Sequence, residues 1–142
     1  LNKPAPDFAL PLLGGGQFQL SAEKGKVIVL DFWATWCGPC VSSMPEQLKA
    51  VAEFDPAKVR FIAVNQGEPE PVVQKFLQAR GWQMSVAFDS QQAIGAKYGV
   101  EGIPHCVVID ATGKVVWTNT GYSPGESEKM AAMIRKLLAV PQ

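Results

Sequence analysis

Cys37 and Cys40 enclose Gly38 and Pro39 at the end of the run "VIVLDFWATWCGPC", which spans Val27 to Cys40. Two thiols at this spacing admit three chemistries: a structural staple, a clip for a soft metal ion, or a dithiol that opens and closes as it exchanges electrons with other disulfides. Cys106 is the only other cysteine, and three are too few for a disulfide scaffold. Asp31 interrupts the apolar run, His105 is the single histidine, and Glu68 and Glu70 flank a proline. Each of these polar residues has a bland reading as well as a chemical one.

The neighbouring elements decide where the two sulfurs sit. Val27 to Phe32 is β-branched and nearly all apolar, the pattern of a strand covered on both faces. From Gly38 to about Phe54, Val41, Met44, Leu48, Val51 and Ala52 recur at helical spacing, with Pro45 removing one backbone donor. Val59 to Val64 reads as a second buried strand, and Val72, Val73, Phe76 and Leu77 mark a helix ended by Gly81. Val86 to Phe88 reads as a short strand, after which Asp89 and Gln92 suggest a capping box for a small helix ending near Gly99. Cys106 to Ile109 and Val115 to Thr118 form a hairpin around "DATGK". Ser123, Pro124 and Glu126 suggest the start of a last helix, with Met130, Met133, Ile134 and Leu137 as its apolar stripe. At the front, Phe8 to Leu10 and Phe18 to Leu20 pair across "PLLGGGQ", preceded by a Pro-rich lead, Lys3 to Pro6, that reads as a short linker. The order predicts an α/β fold, a central mixed β-sheet flanked by helices on both faces with an N-terminal β-hairpin extension, in one domain over residues 1–142.

With 142 residues and 47% hydrophobic side chains, the chain can bury an ordinary core. Thirteen basic and thirteen acidic residues cancel, which leaves no global field for nucleic acid or an anionic membrane. No apolar run reaches the roughly 20 residues that span a bilayer, so a soluble domain is expected. Leu1 in place of methionine suggests a removed leader, a lost anchor or a trimmed chain.

Between a strand and the helix that follows it, Cys37 falls at the helix start, where unpaired amide donors and the positive end of the macrodipole favour a thiolate. Its pKa is expected to fall and its sulfur to emerge toward solvent. Cys40, one turn on, is within disulfide reach, more buried and less acidic. Cys37 is therefore the expected attacking thiol and Cys40 the resolving one.

"DFWATWCGPC", followed by Pro45 and, after Val100 and Glu101, by "GIPHCVVID", resembles the thioredoxin superfamily over nearly the whole chain. The lead "NKPAPDFAL" and the helix-containing insertion before Gly102 resemble its TlpA-like extracytoplasmic branch. That resemblance implies a thioredoxin-like fold in which Pro104 is a cis-proline facing the disulfide, with Ile103 lining a substrate groove. It implies that Trp36 shields the pair and offers an apolar contact, while Gly38 and Pro39 act through backbone geometry beside the client. It makes Asp31 the buried acid behind Cys40, its pKa raised by a dry setting so that it accepts the Cys40 proton. The lysine that the family keeps near this acid is absent, and Ala63 aligns there. Gly38 and Pro39 are similar to those of reducing members, whose potentials lie near about −270 mV.

His105 and Cys106 depart from the family, which more often has threonine after the cis-proline. With Cys37 and Cys40, His105 makes a candidate copper or zinc trio, although the spacing suits a redox pair better. Strand alternation sends Cys106 with Val108 to one face and His105 with Val107 to the other, so Cys106 is expected to be a small buried hydrophobe. Trp33 and the methionine stripe read as core, and Glu68 and Glu70 as caps on the helix that follows them.

The expected function is a thiol-disulfide oxidoreductase, periplasmic or otherwise extracytoplasmic, with a cytoplasmic location as the alternative. It acts on protein disulfides, in cytochrome c maturation or general redox homeostasis, as a monomer that the full-length protein can carry on a membrane anchor. No metal and no organic cofactor are expected. A separate upstream donor supplies electrons, since no G-x-G-x-x-G nucleotide fingerprint occurs. A metallochaperone using Cys37, Cys40 and His105, and a thiol peroxidase, are the competing readings.

Overall fold

A computed structural model describes residues 1–139. Seven strands and four helices follow the chain as β1 (Ala9–Pro11), β2 (Gln17–Gln19), β3 (Val27–Trp33), α1 (Gly38–Val51), β4 (Val59–Gln66), α2 (Glu70–Arg80), β5 (Ser85–Asp89), α3 (Ala93–Lys97), β6 (His105–Ile109), β7 (Val115–Thr120) and α4 (Glu126–Ala139). The five-stranded sheet has the order β5-β4-β3-β6-β7. β4 runs parallel to both β3 and β5, whereas β6 is antiparallel to β3 and β7. Every residue of β3 is buried, Asp31 included, as a nearly all-apolar run requires at the centre of a sheet covered on both sides.

Alternation along the strands divides the core. Val27, Val29 and Trp33 share one face with Val59, Ala63, Val86, Cys106 and Val108, beneath Met44 of α1, Val73 and Leu77 of α2, and Met130 and Ile134 of α4. Ile28, Leu30 and Phe32 share the other with Ile62, Val64, Val107 and Ile109, beneath Phe8, Phe18, Leu20 and Ile94 of α3.

The Pro-rich lead is no linker. The Asn2 amide donates to the Val115 carbonyl at 2.6 Å, the Val115 amide to Lys3 at 2.9 Å, and the Ala5 amide to Gly113 at 2.8 Å. From this β7 edge the chain crosses the second face under the Tyr98 hydroxyl, which donates to the Pro6 carbonyl at 2.6 Å. It reaches the opposite edge, where the Leu13 amide donates to Val86 at 2.9 Å. Proline lacks a donor, but its neighbours' amides and the carbonyls still pair, so a Pro-rich segment serves as an edge strap. Between β1 and β2 three successive glycines adopt φ of 90°, 112° and 78°, a run that side chains on L-residues resist. Phe18 is 1% exposed and packs 5.6 Å from the Phe8 ring. Phe18→Ala is expected to lower unfolding stability by about 3–5 kcal/mol in urea melts, and a loss under about 1 would make the hairpin an appendage.

Among the helices, two boundaries and one cap depart from expectation. α1 ends at Val51, three residues early. α4 begins at Glu126 rather than after Ser123, because Gly125 at φ 92° turns the chain before the helix can start. Asp89 caps α3 from further back, accepting from the Ile94 and Gly95 amides at 3.2 and 2.9 Å without Gln92.

Candidate active site

Leaving β3 at Trp33, the chain turns once and begins α1 with Cys37 as the N-cap, φ −87° and ψ 105°. Pro39 sits in the first turn, where a missing N–H leaves no bond unmade. The Cys40 amide donates to Cys37 Sγ at 3.2 Å, which aims one of the helix's unpaired donors at the outer sulfur. Cys37 and Cys40 form a disulfide with Cα atoms 5.2 Å apart. Once the bond opens, the same amide is in place to hold a thiolate.

The outer sulfur is more enclosed than the sequence suggests. Cys37 is 4% exposed and Cys40 0%. Its sulfur is bonded to Cys40 and lies 3.6 Å from the Ile103 carbonyl oxygen. Its surroundings are open: Gly38 and Pro39 are exposed, and Trp36 is 72% exposed. The Ile103–Pro104 peptide bond is cis. Pro104 is buried, and its carbonyl accepts from the Gly121 amide at 2.7 Å, which ties the loop to the end of β7. An open groove of about 620 Å³ runs beside this loop, lined by Trp36, Gly67, Glu68, Val100, Gly102 and Ile103.

Asp31 lies below, in register between Ala63 of β4 and Cys106 of β6. It is 0% exposed, and neither carboxylate oxygen has a hydrogen-bond partner among the described residues. Burial pushes its pKa up to about 8, against a smaller opposing pull from the Gln47 side chain. That amide is near enough to polarise the carboxyl without reaching hydrogen-bond geometry.

Glu68 does not cap α2. That N-cap is Pro69, with no side-chain bond, and only Glu70 falls in the first turn. Instead the Glu68 carboxylate accepts from the Thr35 amide at 2.8 Å, the Thr35 hydroxyl at 2.5 Å and the Asn65 side chain at 2.8 Å. It clamps the turn before Trp36 to the end of β4. Glu68→Ala leaves the Thr35 and Asn65 donors unpaired and is expected to remove about 2–3 kcal/mol, read from denaturant melts of the oxidised protein.

His105 falls on the face away from Cys106, as alternation requires. Its Nδ1 meets Thr120 Oγ1 at 2.8 Å, its ring packs 6.1 Å from Phe32, and burial lowers its pKa. The trio Cys37, Cys40 and His105 does not come together: among the described residues no group of three His, Cys, Asp or Glu side chains has the arrangement of a metal site. Cys106 is buried, its thiol pKa raised by burial and by Asp31. Trp33 is wholly buried, and its Nε1 has no partner among the described residues.

The face that α1 turns to the sheet is Cys40, Ser43, Met44 and Gln47, rotated from the stripe of Val41, Leu48 and Val51. Sequence reasoning passed over Ser43 and Gln47 because both are polar. Counting i+3, i+4 and i+7 from Cys40 places them on its face.

No helix among the described residues is long and apolar enough to cross a membrane. Residues 1–134 match the Redoxin family. The thiol-disulfide oxidoreductase ResA of Geobacillus thermodenitrificans is 37% identical over 91% of this chain and 74% of its own length. ResA of Halalkalibacterium halodurans is 33% identical over 96% of this chain and 76% of its own. A crystal structure from Chlorobium tepidum, assigned as the thiol:disulfide interchange protein DsbE, superposes with a TM-score of 0.88 at 36% identity, covering 96% of each chain. With a disulfide seated at a helix start beside a cis-proline loop, and with relatives this near, the chain belongs to the Redoxin family within the thioredoxin superfamily and is a thiol-disulfide oxidoreductase of the ResA and DsbE kind.

Proposed function

We propose that this enzyme reduces or exchanges disulfides in extracytoplasmic protein clients, with Cys37 attacking, Cys40 resolving and Asp31 taking the Cys40 proton. The observation that carries this reading is the asymmetry of the pair: only Cys37 keeps any exposure, and it alone receives the α1 amide. In the reduced enzyme the Cys37 thiolate attacks one client sulfur, and the other leaves as a thiolate. Cys40 then attacks Cys37, its proton passing to Asp31, and the second client sulfur departs with the bonding pair. The enzyme ends oxidised and the client reduced. Trp36, Gly38, Pro39 and Ile103 border the pair and form the surface on which an extended client segment rests, and the buried cis-Pro104 shapes the loop that presents Ile103 to it. The enzyme works as one domain and as a monomer, regenerated by a separate upstream donor. Cytochrome c maturation is the specific role that this client class includes.

Cys40→Ser, expressed outside the cytoplasm, is expected to accumulate client proteins disulfide-bonded to Cys37, identified by mass spectrometry of the non-reduced adducts. A c-type apocytochrome among them fixes the client. Adducts joined through Cys106 in place of Cys37 would overturn the assignment of roles.

A further inference from the structure

Asp31 has almost nothing polar around it. Ala63 on β4 contributes only a methyl group, and among the described residues no Lys, Arg or His acts on its carboxyl. On β6 the Cys106 thiol lies 3.7 Å from Gln47 Oε1 and 3.8 Å from Met130 Sδ of α4. Gln47 on α1 is 7% exposed and shares the buried helix face with Cys40. With Oε1 toward the Cys106 thiol, the donating Nε2 end of the amide is the one free to turn to the unpartnered Asp31 carboxylate.

Gln47 also connects this acid with the outside. With Ser43, Cys106, Asn119, Tyr122 and Met130 it lines a cleft with about 20 Å³ of space between α1, β7 and α4, room for one water molecule. The charged groups on that cleft are both acids: Glu126, and Glu46, which accepts a hydrogen bond from the Tyr122 hydroxyl.

We propose that Gln47 is a positioning residue for the resolving step, its side-chain amide orienting the Asp31 carboxylate toward the Cys40 thiol and stabilising its charge. The inference rests on the reading that Asp31 receives the Cys40 proton. As the Cys40 electron pair forms the bond to Cys37 Sγ, the proton moves to an Asp31 oxygen and the Cys37–client bond breaks, its electrons leaving on the client sulfur. Nε2–H favours the ionised acid before this transfer, and the acid returns its proton to solvent on the Gln47 side.

Stopped-flow reaction of the fully reduced protein with one equivalent of DTNB tests this. The first thionitrobenzoate release reports Cys37 attack and serves as the folding control; the second reports Cys40 attack on the Cys37 adduct. Gln47→Met keeps the length and the helix preference but removes the amide. It is expected to move the pH midpoint of the second release up by about one pH unit and to slow that release about tenfold at pH 7. Gln47→Leu is expected to behave alike, whereas Asp31→Asn removes the ionisation altogether. A second-release midpoint unchanged in Gln47→Met and Gln47→Leu, with Asp31→Asn still abolishing the pH dependence, overturns the role of Gln47 and leaves Asp31 standing. An unaltered profile in Asp31→Asn removes the acid from the mechanism, and the inference with it.

Discussion

Asp31→Asn is expected to raise unfolding free energy at pH 9 by roughly 4–6 kcal/mol, while changing it by less than about 1 kcal/mol at pH 4. Burial lifts the Asp31 pKa to about 8 in the folded protein, against about 3.9 in an unfolded chain. Between those values the folded state binds more protons than the unfolded one, so wild-type stability falls as pH rises from about 4 and levels off above about 8. Asparagine removes the ionisation, and with it the penalty. Denaturant melts of both oxidised proteins across this range measure the difference. A gap between the curves that stays constant with pH would mean that Asp31 is not held protonated by its surroundings. In the proposed resolving step the same burial would suit the acid to its task, since an acid poised near 8 takes a thiol proton more readily than a surface carboxylate does.

Cys37→Ser is expected to lose disulfide reductase activity by on the order of a thousandfold or more, since a hydroxyl at this position supplies almost no anion near neutral pH. Insulin reduction with dithiothreitol as donor measures it. The loss follows from local geometry, because the N-cap position and the amide of Cys40 serve whichever atom stands at Cys37 and only sulfur can exchange. Activity within a factor of ten of wild type would show that another thiol attacks. Cys106 is poorly suited to that work: burial and Asp31 push its thiol pKa upward, and its sulfur faces Gln47 and Met130.

Much of the fold is legible in local pattern. Val27 to Phe32 announces a doubly covered strand through its nearly all-apolar run, and the Cys37 to Cys40 spacing places both sulfurs at the first turn of a helix. Alternation also assigned Cys106 and His105 to opposite faces, since successive side chains on any strand must point apart. These features depend on neighbours within a few residues. Glu68 is different. Followed by a helix, its charge reads as a cap, yet its partner Thr35 is 33 positions away, and only the parallel pairing of β3 with β4 brings the two turns together.

The pairing of the Pro-rich lead and the contacts of Gln47 were likewise beyond local reading. Lys3 to Pro6 carries no strand pattern, and its pairing with β7 exists because β7 is a sheet edge with free backbone groups. Gln47 is polar on a helix whose apolar stripe lies elsewhere; it meets Cys106 because α1 packs on the sheet with the Cys40 face inward. The reactive pair, its helix and the central strand were thus set by residue type and short-range period. How far Cys37 is enclosed, what surrounds Asp31 and what holds the turn before Trp36 were settled by packing between distant segments, because burial and side-chain contact belong to the docked elements together and to none of them alone.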